Sequence, residues 1–440
     1  MTTASNTAEK SPAAPVRDKM HFIPVLRADL IAAALEQGLA NDQVHDFKTL
    51  TTFLGAYFHH DFYDELTELK ETYAWFSPTG PHPVRREARD ADTAFAKLMT
   101  TFESIMARAN FRELSQSDVA ALGGDHPQFD VKTRTPLEAY ETIRIFYRGT
   151  RTQCVKHATA FGLRSKETPL ETLDDVVVFV RFKQPSGLPR RRFLRGGNGK
   201  LPGGAQPGSV MVKSFRNIAR VELPMLLPDV QIVMSRKDAM LLGGPAVLGG
   251  IPIALNLLPA LSVILIVVGA YLGFSGEVTQ DQLMKAVGAL SVVIGAGAFM
   301  WRQFSNYSYR KLKYQRKVAD NIYFKNVTND AGVFETLISA AEDQEVNEVI
   351  LAYHSLLTAG PAAHAGELDR RIENWLKATF QIDVDFEVGD ALTKLEGLGF
   401  LTQKDGKIAA APLPEALARL DTLWDRLYDF SKSAHVHAAA

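Results

Sequence analysis

Between Asp238 and Glu277 the chain runs for 38 residues without one Asp, Glu, Lys or Arg. Its apolar centre, Ile251–Phe274, reads IPIALNLLPALSVILIVVGAYLGF. A helix crossing the roughly 30 Å hydrocarbon core of a bilayer needs about 20 apolar residues, so this stretch can span it. Pro252 suits a helix start, and Pro259 would kink an interior turn, which a membrane helix tolerates. Asn256 is the strongly polar side chain within it and reads as a structural amide. A second charge-free gap, Ala286–Trp301, lies between Lys285 and Arg302. It rises only about 24 Å, but snorkelling Lys285 and Arg302 and an interfacial Trp301 extend its reach. Ser275–Gln282, with Glu277 and Asp281, forms a polar turn between the two.

The expectation is therefore a two-helix transmembrane hairpin within 243–304, with spans at about 250–273 and 283–303. Residues 302–317 carry Arg302, Arg310, Lys311, Lys313, Arg316 and Lys317 and no acid. These six are expected at the membrane interface against anionic lipid. Residues 213–237 add five basic residues against two acids. Basic flanks stay on the cytoplasmic side, so both termini should lie there, or in the matrix of a mitochondrion. High alanine content favours a bacterial inner membrane over the mitochondrial one. Gly269 with Gly273, and Ser291 with Gly295, are spaced for close helix packing, within the hairpin or in a homo-oligomer.

The whole-chain averages conceal this pattern. A net charge of −1 and a mean hydropathy of −0.06 describe an ordinary soluble protein. The charge is a sum of opposites, because residues 318–440 hold 20 acids against 10 bases. The single cysteine, Cys154, excludes an internal disulfide framework and a multi-cysteine metal site.

Residues 1–20 read as a disordered tail and 431–440 as another. Region 21–135 is mainly helical. Phe47, Leu50, Leu54, Tyr57, Phe58, Phe62, Leu66, Leu69 and Tyr73 fall on one face of a long helix, and Phe95, Leu98, Phe102, Ile105 and Met106 on another. Ser115 with Asp118 resembles a capping box. Region 136–238 changes to a period of two, and Tyr140–Tyr147, Val176–Phe182, Val210–Phe215 and Val230–Met234 read as four strands of a small, mostly antiparallel sheet. The Gly/Pro-rich loop 184–209 interrupts it with five basic residues and no acid. Its Arg190, Arg191, Arg192 and Arg195 read either as a solvated loop or as a contact for anionic lipid or RNA. Gly196–Lys200 lacks the first glycine and the Ser/Thr of a phosphate loop.

Beyond a basic juxtamembrane segment, 305–330, region 331–430 reads as three helices, a β-hairpin turning at Asp405-Gly406, and a final helix. Asp385 is expected to cap the third helix and Gly399 to close it. This is the order of a winged helix. Its third helix carries Glu387, Asp390, Lys394 and Glu396, a sign opposed to DNA binding, so a protein partner is expected there instead. The fold class is thus an α+β membrane protein.

Several segments carry a family resemblance. They are Phe146-Tyr147-Arg148-Gly149, Phe215-Arg216-Asn217-Ile218, Glu222-Leu223, Met225–Pro228, Gly243-Gly244-Pro245, Asn321–Asn326, Glu348–Tyr353, and Asp385–Leu392 with Lys394-Leu395. Over roughly 45–430 the chain resembles the transmembrane-143-like family, domain of unknown function 3754. The resemblance implies a paired membrane segment and no assigned activity, and the 184–209 loop looks like an insertion.

Residues of catalytic type do not assemble into a reaction. His59 and His60 are adjacent and point about 100° apart on a helix. His354, Glu348 and Glu345 share a helix without HExxH spacing. Cys154 has basic neighbours but no partner, and the acids of the last region read as a solvated face. No catalytic residue, metal ligand or cofactor is expected. The reading is a membrane-anchored scaffold or interaction protein with both soluble regions cytoplasmic. The alternatives are an oligomeric channel or transporter built from the hairpin, or a membrane-tethered hydrolase.

Overall fold

The structure is a computed structural model of the chain. It describes residues 16–17, 19–79, 88–122, 131–134, 137–159, 164–184, 206–228, 231–234, 255, 259–273, 279–404 and 406–427. The chain divides into two compact units. Unit 1 comprises Met1–Ala121, Leu137–Leu223 and Lys325–Ala440, and unit 2 comprises Leu122–Pro136 and Pro224–Phe324.

Unit 1 packs helices on a sheet. The helical face read from Phe47 to Tyr73 forms α2 (Gln43–Tyr73), which follows α1 (Arg27–Glu36) and buries Phe47, Leu50, Leu54, Phe58, Phe62, Leu69 and Tyr73. Next come α3 (Ala88–Arg108) and the short α4 (Gln116–Ala121), where the amide of Asp118 donates to Ser115 Oγ as a capping box requires. The sheet is antiparallel, in the order β1 (Val16–Arg17), β4 (Tyr140–Thr159), β5 (Arg164–Phe182), β6 (Val210–Ala219), β8 (Asn326–Asn329), with β2 (Arg112–Glu113) also on β4. Val176 to Val180 on β5 are buried at every position, as a central strand covered on both faces demands.

Four helices complete unit 1: α7 (Ala331–Thr358), α8 (Ala365–Phe380), α9 (Val388–Gly397) and α10 (Leu413–Arg426). Between the last two, β9 (Leu401–Lys404) and β10 (Lys407–Ala410) pair through a two-residue turn with Gly406 at φ 73°. The central element is α7, which packs on α2, α3, α8, α9 and β6. Asp385 does not cap α9, whose N-cap is Glu387; its carboxylate pairs with His21 at 3.0 Å.

Unit 2 holds a two-stranded pairing of β3 (Val131–Arg134) with β7 (Gln231–Met234), and the helices α5 (Pro259–Tyr271) and α6 (Gln280–Lys325).

The two-helix transmembrane hairpin does not stand. Among the described residues one helical stretch, Gln280–Asn306 in α6, is long and apolar enough to cross a membrane. Helix α5 rises only about 20 Å at 1.5 Å per residue, against a hydrocarbon core of roughly 30 Å. Gly273 sits at φ 82° just past the end of α5. The second helix is longer than expected and runs through the basic segment to Lys325. The sheet also differs. The fourth strand was expected at Val230–Met234; Gln231–Met234 pairs instead with β3 in unit 2, and the edge beside β6 is taken by Asn326–Asn329.

Candidate functional site

Unit 1 contains a cavity of about 870 Å³, a size that accommodates small ligands. Strands β4, β5 and β6 make its floor, α7 one wall, and an extended strap, residues 19–26, the other. The strap is pinned at Met20 and at Ile23. The amide of Met20 donates to Asp383 O, that of Asp385 to Met20 O, and that of Ile23 to Gln344 Oε1 at 3.0 Å.

Strand register sets the charges of the floor. Arg148 lies opposite Asp175, which lies opposite Arg216, so the three side chains form a cross-strand row. Arg148 Nη2 donates to Asp175 Oδ2 at 2.8 Å, and Arg216 Nε to Asp175 Oδ1 at 3.1 Å. Arg148 also stacks over Phe22 and Phe111. Arg151 pairs with Asp174 and donates to Asn217 Oδ1. The floor thus carries three guanidiniums against two carboxylates. The wall carboxylates Glu335 and Asp343 are taken by Lys70 and Arg27.

Gly149 makes this floor possible. Its φ is 71°, and a Cβ there would stand 2.5 Å from Asp174 Oδ2. Gly149→Ala is expected to cost about 2–3 kcal/mol, combining left-handed strain with a displaced carboxylate. Gly406→Ala carries similar strain at φ 73° with open space around it, and should cost about 1 kcal/mol. Urea denaturation of the two variants checks the difference; equal losses would remove the role assigned to Gly149.

Gln344 links the cavity to a buried ionic network. Its Nε2 donates to Glu348 Oε1 at 2.7 Å. Asn110 Nδ2 donates to His21 O on the strap and to Glu348 Oε1. Lys394 Nζ reaches Glu345 at 2.7 Å, Glu348 at 2.6 Å and Asp390 at 2.5 Å. Arg108 spreads its fork over Glu345, Glu65 and Asp61. Five carboxylates therefore surround two cations. Burial pushes the Glu348 carboxyl up, to about 7, against the pull of Lys394 and Gln344. Burial likewise raises Glu65. Lys394 is raised despite burial, because Glu348 and Glu345 hold its proton.

The acids of the last region were expected on a solvated face, and this fails at Glu345 and Glu348, both fully buried. The sequence signal was present: Gln344, Glu345, Asn347 and Glu348 interrupt an otherwise apolar helix. Lys394 also turns inward from α9. His354 is a core residue between the Phe47 and Trp375 rings, its Nε2 at 3.0 Å from Ala34 O and from Gln37 O. Among the described residues no three His, Cys, Asp or Glu side chains cluster to hold a metal ion.

Of the six basic interface residues, Arg302 and Arg316 are exposed on α6; Arg310, Lys311, Lys313 and Lys317 lie on its backbone, their side chains outside the described set. Arg190, Arg191, Arg192 and Arg195, and the side chain of Cys154, also lie outside it. Gly269 lies on α5. Ser291 and Gly295 are on the exposed face of α6, with nothing within 4 Å of a Cβ at Gly295; the covered positions are Ala289 and Ala296.

Residues 173–332 match a family model described as protein of unknown function DUF3754. In this chain the matched stretch runs from β5 through α6 to the start of α7, so the DUF3754 region contains Asp174, Asp175, Arg216 and Asn217 of the cavity floor and the long apolar helix. No solved structure matches the chain.

Proposed function

We propose that the protein is a membrane-bound interaction protein attached through α6. The observation that carries this is the bare apolar surface of Gln280–Asn306, 27 residues whose most apolar 18-residue window has mean hydropathy 1.8 and is only 11% buried. Leu283, Met284, Val287, Leu290, Ile294 and Met300 all stand exposed. A soluble protein does not leave such a face in water, and a bilayer covers it at no cost in hydrogen bonds, since the helix satisfies its own backbone. The likeness of the motif segments to the transmembrane-143-like family supports the same reading.

Sheet pairing constrains the arrangement. Strand β6 precedes unit 2's long segment, β8 follows it, and the two are paired at Lys213↔Asn329 and Ser214↔Thr328. This pairing supports an arrangement in which the sheet of unit 1 lies on one side of the membrane. The basic run from Arg302 to Lys317 favours the anionic cytoplasmic face. The acid-rich C-terminal region, repelled by phosphate, suits a protein partner.

Alkaline extraction tests the attachment. The wild-type chain should stay with the membrane pellet, and Leu290→Lys with Ile294→Lys should release it, each lysine costing about 3 kcal/mol in hydrocarbon. Sidedness is tested in a Cys154→Ser background, with Asp64→Cys and Asp421→Cys labelled by an impermeant thiol reagent. Both should label from one side. Release of the wild-type chain by alkali, or labelling from opposite sides, would overturn the reading.

A further inference from the structure

We propose that the cavity of unit 1 is a binding site for an amphipathic anion, its carboxylate or phosphate-monoester head held by Arg216 and Asn217 and its apolar body lying along Phe22–Leu26. The inference stands on unit 1 alone and does not depend on membrane attachment.

Charge bookkeeping selects the sign. On the floor Arg148, Arg151 and Arg216 face Asp174 and Asp175; on the wall Glu335 pairs with Lys70, and Asp343 with Arg27, which also serves Glu342. Arg216 is the third guanidinium of the floor. Its side chain is 61% exposed, and it donates from Nε to Asp175, its Nη groups making no hydrogen bond among the described residues. Asn217 gives its carbonyl to Arg151, which leaves Nδ2 as a second donor. A guanidinium edge beside an amide N–H suits a planar or tetrahedral oxyanion, and charge-assisted bonds of this kind are the strong ones.

The opposite side of the cavity selects the body. Phe22, Ile23, Pro24, Val25 and Leu26 line it in succession. Leu26 is 72% exposed, a large aliphatic side chain lining the same cavity as Arg216. A guanidinium with free Nη donors on the floor and an apolar strip on the strap describe an anion with a hydrocarbon tail. A polyanion would be repelled by Asp174 and Asp175, and a bare inorganic ion would leave the strip uncovered.

The full chain in nanodiscs of uncharged phosphatidylcholine is titrated with oleate, oleyl phosphate, oleyl alcohol and inorganic phosphate, with binding read by native mass spectrometry. Oleate or oleyl phosphate should bind saturably at one per chain, and the tighter of the two identifies the head. Oleyl alcohol should bind at least tenfold more weakly. Arg216→Ala should weaken the oleyl anions about tenfold and leave the alcohol unchanged, with Arg216→Lys between. Its fold is expected to survive, because Asp175 keeps Arg148, and the melting curve checks this. Leu26→Asp should weaken both oleyl anions and leave inorganic phosphate unaffected. Equal binding of anion and alcohol, inorganic phosphate binding as tightly as the oleyl anions, affinities untouched by Arg216→Ala, or no saturable binding would each overturn the proposal.

Discussion

Lys394→Met is expected to remove about 3–5 kcal/mol of unfolding free energy at pH 8, the cost of leaving buried carboxylates without their cation. Lys394 touches Glu345, Glu348 and Asp390 at once. Arg108 still serves Glu345, but Glu348 keeps only the neutral donors Gln344 and Asn110. The loss should be smaller at pH 5.5. Burial already pushes the Glu348 carboxyl up to about 7 from an ordinary 4.5. Between those values the folded chain holds a proton that the unfolded chain has released, so stability falls as pH rises through the window. Without Lys394 the carboxyl rises further, and protonation relieves more of the penalty at the acid end. Glu348→Gln should flatten the slope of stability between pH 5 and pH 7. Lys394→Met with Glu348→Leu should recover part of the loss, because the buried charge goes with its partner. Urea denaturation at both pH values decides it, and a loss below about 1 kcal/mol, or one equal at both, would mean that Lys394 does not hold the network.

Phe334→Ala should cost about 3–5 kcal/mol, the range for emptying a buried aromatic site. Phe334 is fully buried on α7. Its ring meets Tyr73 at 5.1 Å, edge to face, and Phe102 at 6.2 Å; Phe102 in turn meets Phe146 and Phe179. Tyr73 adds a hydrogen bond from its hydroxyl to Asp330 Oδ1 at 2.9 Å. These rings come from α2, α3, β4, β5 and α7, from stretches on both sides of the apolar segment. The variant should therefore lower one cooperative transition that helices before and after that segment share. Hydrogen exchange read separately on α2 and α7 checks this, and protection lost in α7 while α2 stayed intact would show that the two are not one core.

Much of unit 1 was legible because local periodicity encodes burial. The 3–4 spacing of apolar residues from Phe47 to Tyr73 marks α2, the β-branched run Val176–Phe182 marks the core of β5, and Asp405-Gly406 marks the turn between β9 and β10. The cavity was not legible. Arg148 and Arg216 stood out only as segments of a family resemblance, and nothing local says that Asp175 lies between them. Register across three strands does that. The strap was split between an expected tail and a helical region, because the partners that hold Met20 and Ile23 lie more than 300 residues away.

By itself the sequence determined that a charge-free stretch of 38 residues and a second apolar segment must avoid water, since hydrophobicity and charge are properties of the residues wherever they lie. Tertiary structure decided how those segments are used. Among the described residues α5 ends just before Gly273, at φ 82°, and α6 is the long apolar helix. Tertiary structure also placed Asn326–Asn329, two β-branched residues between asparagines, at the edge of the sheet, and turned Glu345, Glu348 and Lys394 inward. The reason is physical: a strand or an ion pair is stabilised by what lies across from it, and no property of the residue alone says what that will be.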